Sequence, residues 1–144
     1  MTASTTTTST PTADVQTGSR NWRHTTGVVL SVLLGAFLAF DIVGKVTQPE
    51  SVIDGTAELG FPIDQTYVMA IALAACLVAY AIPRTAVLGA IGLTAYFGGA
   101  VTAHMRVEDP LLDHTLFPVY FGILVWAALA LRRPELLKVA GIRR

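Results

Sequence analysis

Long apolar runs alternate along the chain with short polar connections. Four runs stand out, at about residues 25–46, 63–82, 84–104 and 115–131. A helix crossing a hydrocarbon layer of about 30 Å needs about 20 residues at a rise of about 1.5 Å each. The first and third runs meet that length readily. The fourth lies near its lower limit, with Pro118 in the first turn, where proline is tolerated. Pro83 separates the second run from the third, because it lacks an N–H and restricts the residue before it. Core helices of a soluble domain keep a polar face. Residues 68–82 and 117–131 carry no charge on any face. The pattern therefore predicts an all-α fold, an integral membrane four-helix bundle with four spans.

Residues 1–21 break the pattern. The segment is rich in Thr and Ser with almost no large apolar side chain. It cannot bury enough surface to offset its ordering entropy, and it is expected to be a disordered cytoplasmic tail. Its lack of an apolar core also argues against a signal peptide. The expected organisation is a tail over 1–21, a four-span domain over 22–137 and a basic cytoplasmic C-terminus over 138–144.

Composition agrees with this division. Of 144 residues, 53% are hydrophobic and 14% charged, against about 25% charged in ordinary soluble domains. The net charge of zero hides an asymmetry. Arg20, Arg23, Arg84, Arg132, Arg133, Lys138, Arg143 and Arg144 fall on one side of the four-span arrangement, and only Lys45 and Arg106 on the other. The positive-inside rule then places both termini in the cytoplasm of a multi-pass cell-membrane protein. Cys76 is the single cysteine, so no internal disulfide and no CxxC pair can form. Thr85, Gly89, Gly92, Gly99 and Ala103, with Tyr96 among them, make a stripe of small residues on the third run. Ser31, Gly35 and Ala39 make another on the first. Such stripes let helices approach closely in lipid.

The candidate chemistry gathers at one level. Asp41 lies about 24 Å along the first helix from Thr25, at about 1.5 Å per residue. Lys45 follows four residues on and shares its face. His104 and Arg106 close the third run, while Asp64 and His114 stand at the starts of the second and fourth. Asp41, Lys45, His104, Arg106 and His114 are thus the candidate ligand-binding residues, on the outer rim. An ionised group inside a span costs about 2.5–3.5 kcal/mol at mid-membrane and less near the interface. Three readings are open: a salt bridge that merely ends the helix, a pocket that binds a ligand or shuttles protons, or a histidine-ligated metal or haem. Haem asks for two histidines facing each other at similar depth, a demand His114 fails if it lies in the loop before the fourth run, so haem is the least favoured of the three. No metal site is expected.

These residues sit in motifs that resemble the DoxX-like family of small bacterial four-span proteins. The resemblance runs from Trp22 to Leu137. It rests on Asp41-x-x-Gly44-Lys45, on Pro83-Arg84-Thr85-Ala86, on Gly98-Gly99 followed by His104-x-Arg106, and on His114-x-x-x-Pro118. It implies a four-helix membrane fold and an association with quinone-linked or stress-related redox systems, and it brings no settled catalytic residues. Three function classes follow. The first is a subunit or partner of a redox-associated membrane system, with quinone as the conceivable ligand at the rim. The second is a non-catalytic scaffold or assembly protein. The third is a small-molecule or proton-coupled transporter, disfavoured by the absence of a mid-span charge or inverted repeat. With no nucleotide fingerprint or dense metal motif, an enzyme acting alone is not expected. The partners implied are the lipid bilayer, a redox protein or a second copy of the chain, and not nucleic acid.

Overall fold

The computed structural model describes residues 14–108 and 115–139. Among these residues all regular structure is helical: α1 (Asp14–Thr47), α2 (Glu50–Glu58), α3 (Gln65–Ala81), α4 (Ala86–Arg106), α5 (Phe117–Arg132) and α6 (Glu135–Val139). The four expected apolar helices are α1, α3, α4 and α5, with ends within a few residues of those predicted except at the start of α1. There the boundary expected at residue 21 falls inside a helix that begins at Asp14. The reason is cooperativity: once the apolar part has nucleated, adding residues at its end fixes few dihedrals per hydrogen bond. Residues 1–13 and 140–144 of the expected tail and C-terminus lie outside the described residues.

The long helices contact one another in a closed ring. α1 packs on α3 and α5, and α4 packs on the same two neighbours. Leu34 and Leu38 of α1, Leu73 and Tyr80 of α3, Leu93 and Phe97 of α4, and Val125 and Leu129 of α5 fill the centre. Close approach is built in at two crossings. On α4 a Cβ at Gly89 would fall on the backbone N and Cα of Tyr80, and one at Gly92 would lie 2.7 Å from Cys76 Sγ. The α1–α5 crossing turns on Gly27, where a Cβ would stand 2.8 Å from Leu131 Cβ. The small stripe expected on α1 therefore misses its tightest member, since Gly35 has only Leu77 Cδ1 at 3.9 Å.

Outside the ring, the surface is strongly apolar. Phe40 is 77% exposed, Ile71 70%, Leu88 67% and Ile123 61%. Patches of this extent mark an apolar environment rather than a soluble monomer. Two helical stretches, Trp22–Thr47 and Ala86–Arg106, are long and apolar enough to cross a membrane. Only 17% and 28% of their apolar windows are buried inside the protein, far less than in a soluble core helix. Hydroxyls within the helices return to the carbonyl one turn back: Thr26 donates to Trp22 O, Ser31 to Gly27 O, Thr94 to Ala90 O and Thr102 to Gly98 O, all at 2.8–2.9 Å. That satisfies a polar group where water is scarce.

The connection from α1 to α3 shapes the site. Gln48 ends α1 in the left-handed region at φ 48°, and Pro49 then starts α2. The Gln48 amide donates to Thr66 Oγ1 at 2.8 Å, tying the end of α1 to the start of α3. α2 buries no side chain. It returns to α3 through a turn at Gly60, whose φ of 74° favours glycine.

Candidate functional site

Three of the expected site residues meet at one cavity. Asp41, Lys45 and His104 all line an open-sided space of about 490 Å³ enclosed by α1, α3, α4, α5 and the turn after α2. The spacing Phe37, Asp41, Lys45 puts one side chain per turn on a single face of α1. Likewise Tyr96, Gly99 or Ala100, and His104 follow each other down one face of α4. The topology brings these two faces together.

The polar lip of the cavity is an ion pair. Lys45 Nζ donates to both carboxylate oxygens of Asp41 at 2.6 Å, a fork closed over one helical turn. Lys45 is the more sheltered partner, 18% exposed against 37% for Asp41. Below the lip the cavity is aromatic. Phe37, Phe117 and Phe121 stack with ring centroids 4.7–6.0 Å apart. Phe97 meets Phe121 edge-on at 6.3 Å, and Tyr96 lies across Phe97 at 6.1 Å. Tilted and edge-on contacts of this kind stabilise one another and leave ring faces for a guest. Gly99 has open space where a side chain would project, so the cavity owes part of its volume to that glycine.

The roof is Leu59 and Phe61. Arg106 acts there rather than at the lip. Its Nη2 donates to Leu59 O at 2.9 Å, and its guanidinium lies 5.8 Å from the Phe61 ring centre. A side chain at Gly60 would collide with it at 2.7 Å. Arg106, expected among the ligand-binding residues, thus lines no part of the cavity and instead bridges α4 to the turn that covers it. Asp64 stands exposed at the residue before α3, makes no side-chain capping bond there and lines no part of the cavity. His114 lies outside the described residues.

A second, smaller space of about 230 Å³ continues beneath α2, with Lys45, His104, Leu59, Phe61 and Met69 shared between the two and Thr56 and Thr66 added. The combined shape is an aromatic chamber joined to a smaller space, with the lysine and the histidine lining both. It suits an amphipathic guest with a compact polar end: apolar walls with a few convergent polar groups are the usual form of a small-molecule site. Among the described residues no group of three His, Cys, Asp or Glu side chains converges on a point.

Sequence reasoning had placed the ionisable residues and missed the cage. Tyr96, Phe37, Phe97, Phe117 and Phe121 were legible as helix-face neighbours of Asp41, His104 and Pro118. Their spacing is the same as that of ordinary packing residues, so it does not by itself mark a cavity.

The sequence model of the DoxX-like family matches residues 29–128. The chain belongs to the DoxX-like family, and with its two span-length, outward-apolar helices it is a small membrane protein. The match includes Arg106 and every residue that lines the cavity, Asp41, Lys45, Tyr96 and His104 among them. No curated protein and no solved structure matches the chain.

Proposed function

We propose that this protein spans the membrane four times with both termini in the cytoplasm, and that its outer cavity binds a small lipid-soluble ligand of quinone type for a redox-associated membrane system. Support for the four spans comes from α3 and α5, apolar helices of 17 and 16 residues that pack beside the two longer ones. At about 1.5 Å per residue they reach about 24–26 Å, short of the usual core by an amount that local thinning of the bilayer accommodates. The observation that carries the ligand reading is the aromatic cavity closed at one lip by Lys45, Asp41 and His104. A quinone ring stacks on Phe or Tyr faces, and its carbonyl oxygens accept from an ammonium or an imidazole N–H. Such a site holds and orients a redox carrier; the electrons come from and go to a partner protein.

The experiment is solvent extraction of the protein purified in mild detergent, with mass spectrometry of the extract, for wild type and Asp41→Asn. The ligand reading expects a quinone at near-stoichiometric amount in wild type. It expects a marked loss in the variant, because Lys45 is no longer held at the lip. A wild-type extract with no quinone above the level of an unrelated membrane protein would leave the scaffold reading in its place.

A further inference from the structure

At the opposite end of the helix ring a second polar group is organised around Arg132. Its Nη1 donates to Ser31 Oγ at 3.2 Å, and its guanidinium lies 5.7 Å from the centre of the Tyr80 ring. Tyr80 is only 2% exposed. Its hydroxyl donates to Val125 O at 3.1 Å and lies 3.3 Å from Ser31 Oγ. These contacts join α1, α3 and α5 and hold the arginine in one orientation. A guanidinium has five N–H donors, and the Ser31 contact uses one. Among the described residues no carboxylate forms an ion pair with Arg132; the pairing that exists, Lys45 with Asp41, is at the far end. Arg84 and Arg133 lie at the same end as Arg132, and Arg133 donates to Pro83 O.

Beside this half-buried cation runs a groove of about 320 Å³ between α1 and α3, lined by Val28, Val32, Gly35 and Leu77, with Arg132 contributing to its wall. Val28 and Val32 are 38% and 63% exposed, so the groove opens sideways to the surroundings of the helices. A fixed cation beside a lateral apolar groove is complementary to one chemical class: an anion carrying an alkyl chain.

We propose that this groove is a binding site for an acidic phospholipid, one acyl chain lying between α1 and α3 and the phosphate accepting hydrogen bonds from Arg132. The fork of the guanidinium matches two phosphate oxygens, and its face is already braced on Tyr80. Basic pockets between membrane helices recognise acidic headgroups in this way. On the topology proposed above, the site faces the cytoplasmic leaflet. It is independent of the outer cavity, so either proposal stands if the other fails.

The test uses the full chain in detergent, titrated with dioleoyl phosphatidylglycerol, dioleoyl phosphatidylcholine or inorganic phosphate, and read by thermal midpoint and native mass spectrometry. Phosphatidylglycerol should raise the midpoint and remain bound, with the other two doing neither. Arg132→Gln should weaken that binding by about tenfold or more, the scale of one charge-assisted hydrogen bond. Arg132→Lys should retain part of it, and Arg84→Gln, which removes a nearby exposed charge, should leave it intact. Gly35→Leu narrows the groove while keeping the cation and should also abolish binding, so the test survives if Arg132→Gln does not fold. Equal loss in Arg84→Gln and Arg132→Gln would reduce the effect to general surface charge. Equal stabilisation by phosphatidylcholine or by inorganic phosphate, or full binding to Gly35→Leu, would overturn the proposal.

Discussion

Replacing Gly89 with alanine adds one methyl group where two helix backbones touch. That methyl would fall on the N and Cα of Tyr80 and 2.7 Å from the carbonyl carbon of Ala79. Nothing on the α3 side is a flexible side-chain end that could swing away. The two helices are also tethered next to the contact, because only residues 82–85 separate α3 from α4 and Thr85 Oγ1 is bonded to Ala79 O at 2.8 Å. The methyl can therefore be housed only by prising the helices apart, which loosens Tyr80, Ala86 and Ala90 together in the core. Overpacking of this kind costs about 1–3 kcal/mol. Alanine recovers about 0.5–1 kcal/mol of helix preference over glycine, so the net expectation is a loss of about 1–2 kcal/mol. Gly99→Ala is the internal control. It is the same change on the same helix, but with nothing within 4 Å of the new methyl, and it should be neutral or stabilising. Thermal melting of both variants in one detergent, followed by circular dichroism, separates them: Gly89→Ala should melt several degrees lower than wild type, at about 2–4 °C per kcal/mol, and Gly99→Ala no lower. Equal shifts of the same sign would refute the claim that Gly89 is a backbone contact and Gly99 a cavity position.

Three further outcomes are expected. In a Cys76→Ala background, cysteines placed at Glu58 and Val107 should react with an impermeant maleimide in intact cells, and cysteines at Ala13 and Arg144 should not; labelling at either terminus would reject the proposed topology. Arg106→Gln removes the bond to Leu59 O and should speed amide exchange across residues 57–61 by about tenfold or more, the scale of a lost charge-assisted bond, while leaving α4 protected; unchanged exchange there would mean that Arg106 does not hold the roof. Gly92→Leu should push Cys76 aside and lower the melting temperature more than Leu88→Phe, since Leu88 is 67% exposed; equal losses would contradict the assignment of α4's packed face.

The four long helices were legible because each is a sustained apolar run ended by proline, charge or polar turn residues. Asp41 with Lys45 was legible for a similar reason: an i,i+4 pair needs only the local helix to form. α2 was not, because its half-buried face is Val52, Gly55 and Thr56, with Leu59 just beyond, and two large apolar side chains are too few to stand out as a helical period. The role of Arg106 was also hidden. It depends on where the Gly60 turn delivers the Leu59 carbonyl, which is a tertiary fact. The stripe on α4 shows the limit most directly. Gly89 and Gly92 meet α3, whereas Tyr96, Gly99 and Ala103 line the cavity, and nothing in their spacing distinguishes the two halves. What separates them is the partner across the gap: the backbone of α3 at one end, an aromatic cage with space in it at the other.

The same glycine offers the most direct test of the central claim, that the aromatic cavity behind Asp41, Lys45 and His104 is a ligand site. Gly99→Leu directs an isobutyl group toward the space of about 490 Å³ from a position whose Cβ would meet no atom within 4 Å. The measurement is titration of a short-chain quinone into purified wild type and Gly99→Leu, read by quenching of intrinsic fluorescence and by calorimetry, with circular dichroism to establish that both are folded. The account predicts saturable binding to wild type and no saturable binding to a Gly99→Leu protein that melts at least as high. Binding of equal affinity to both proteins would contradict it.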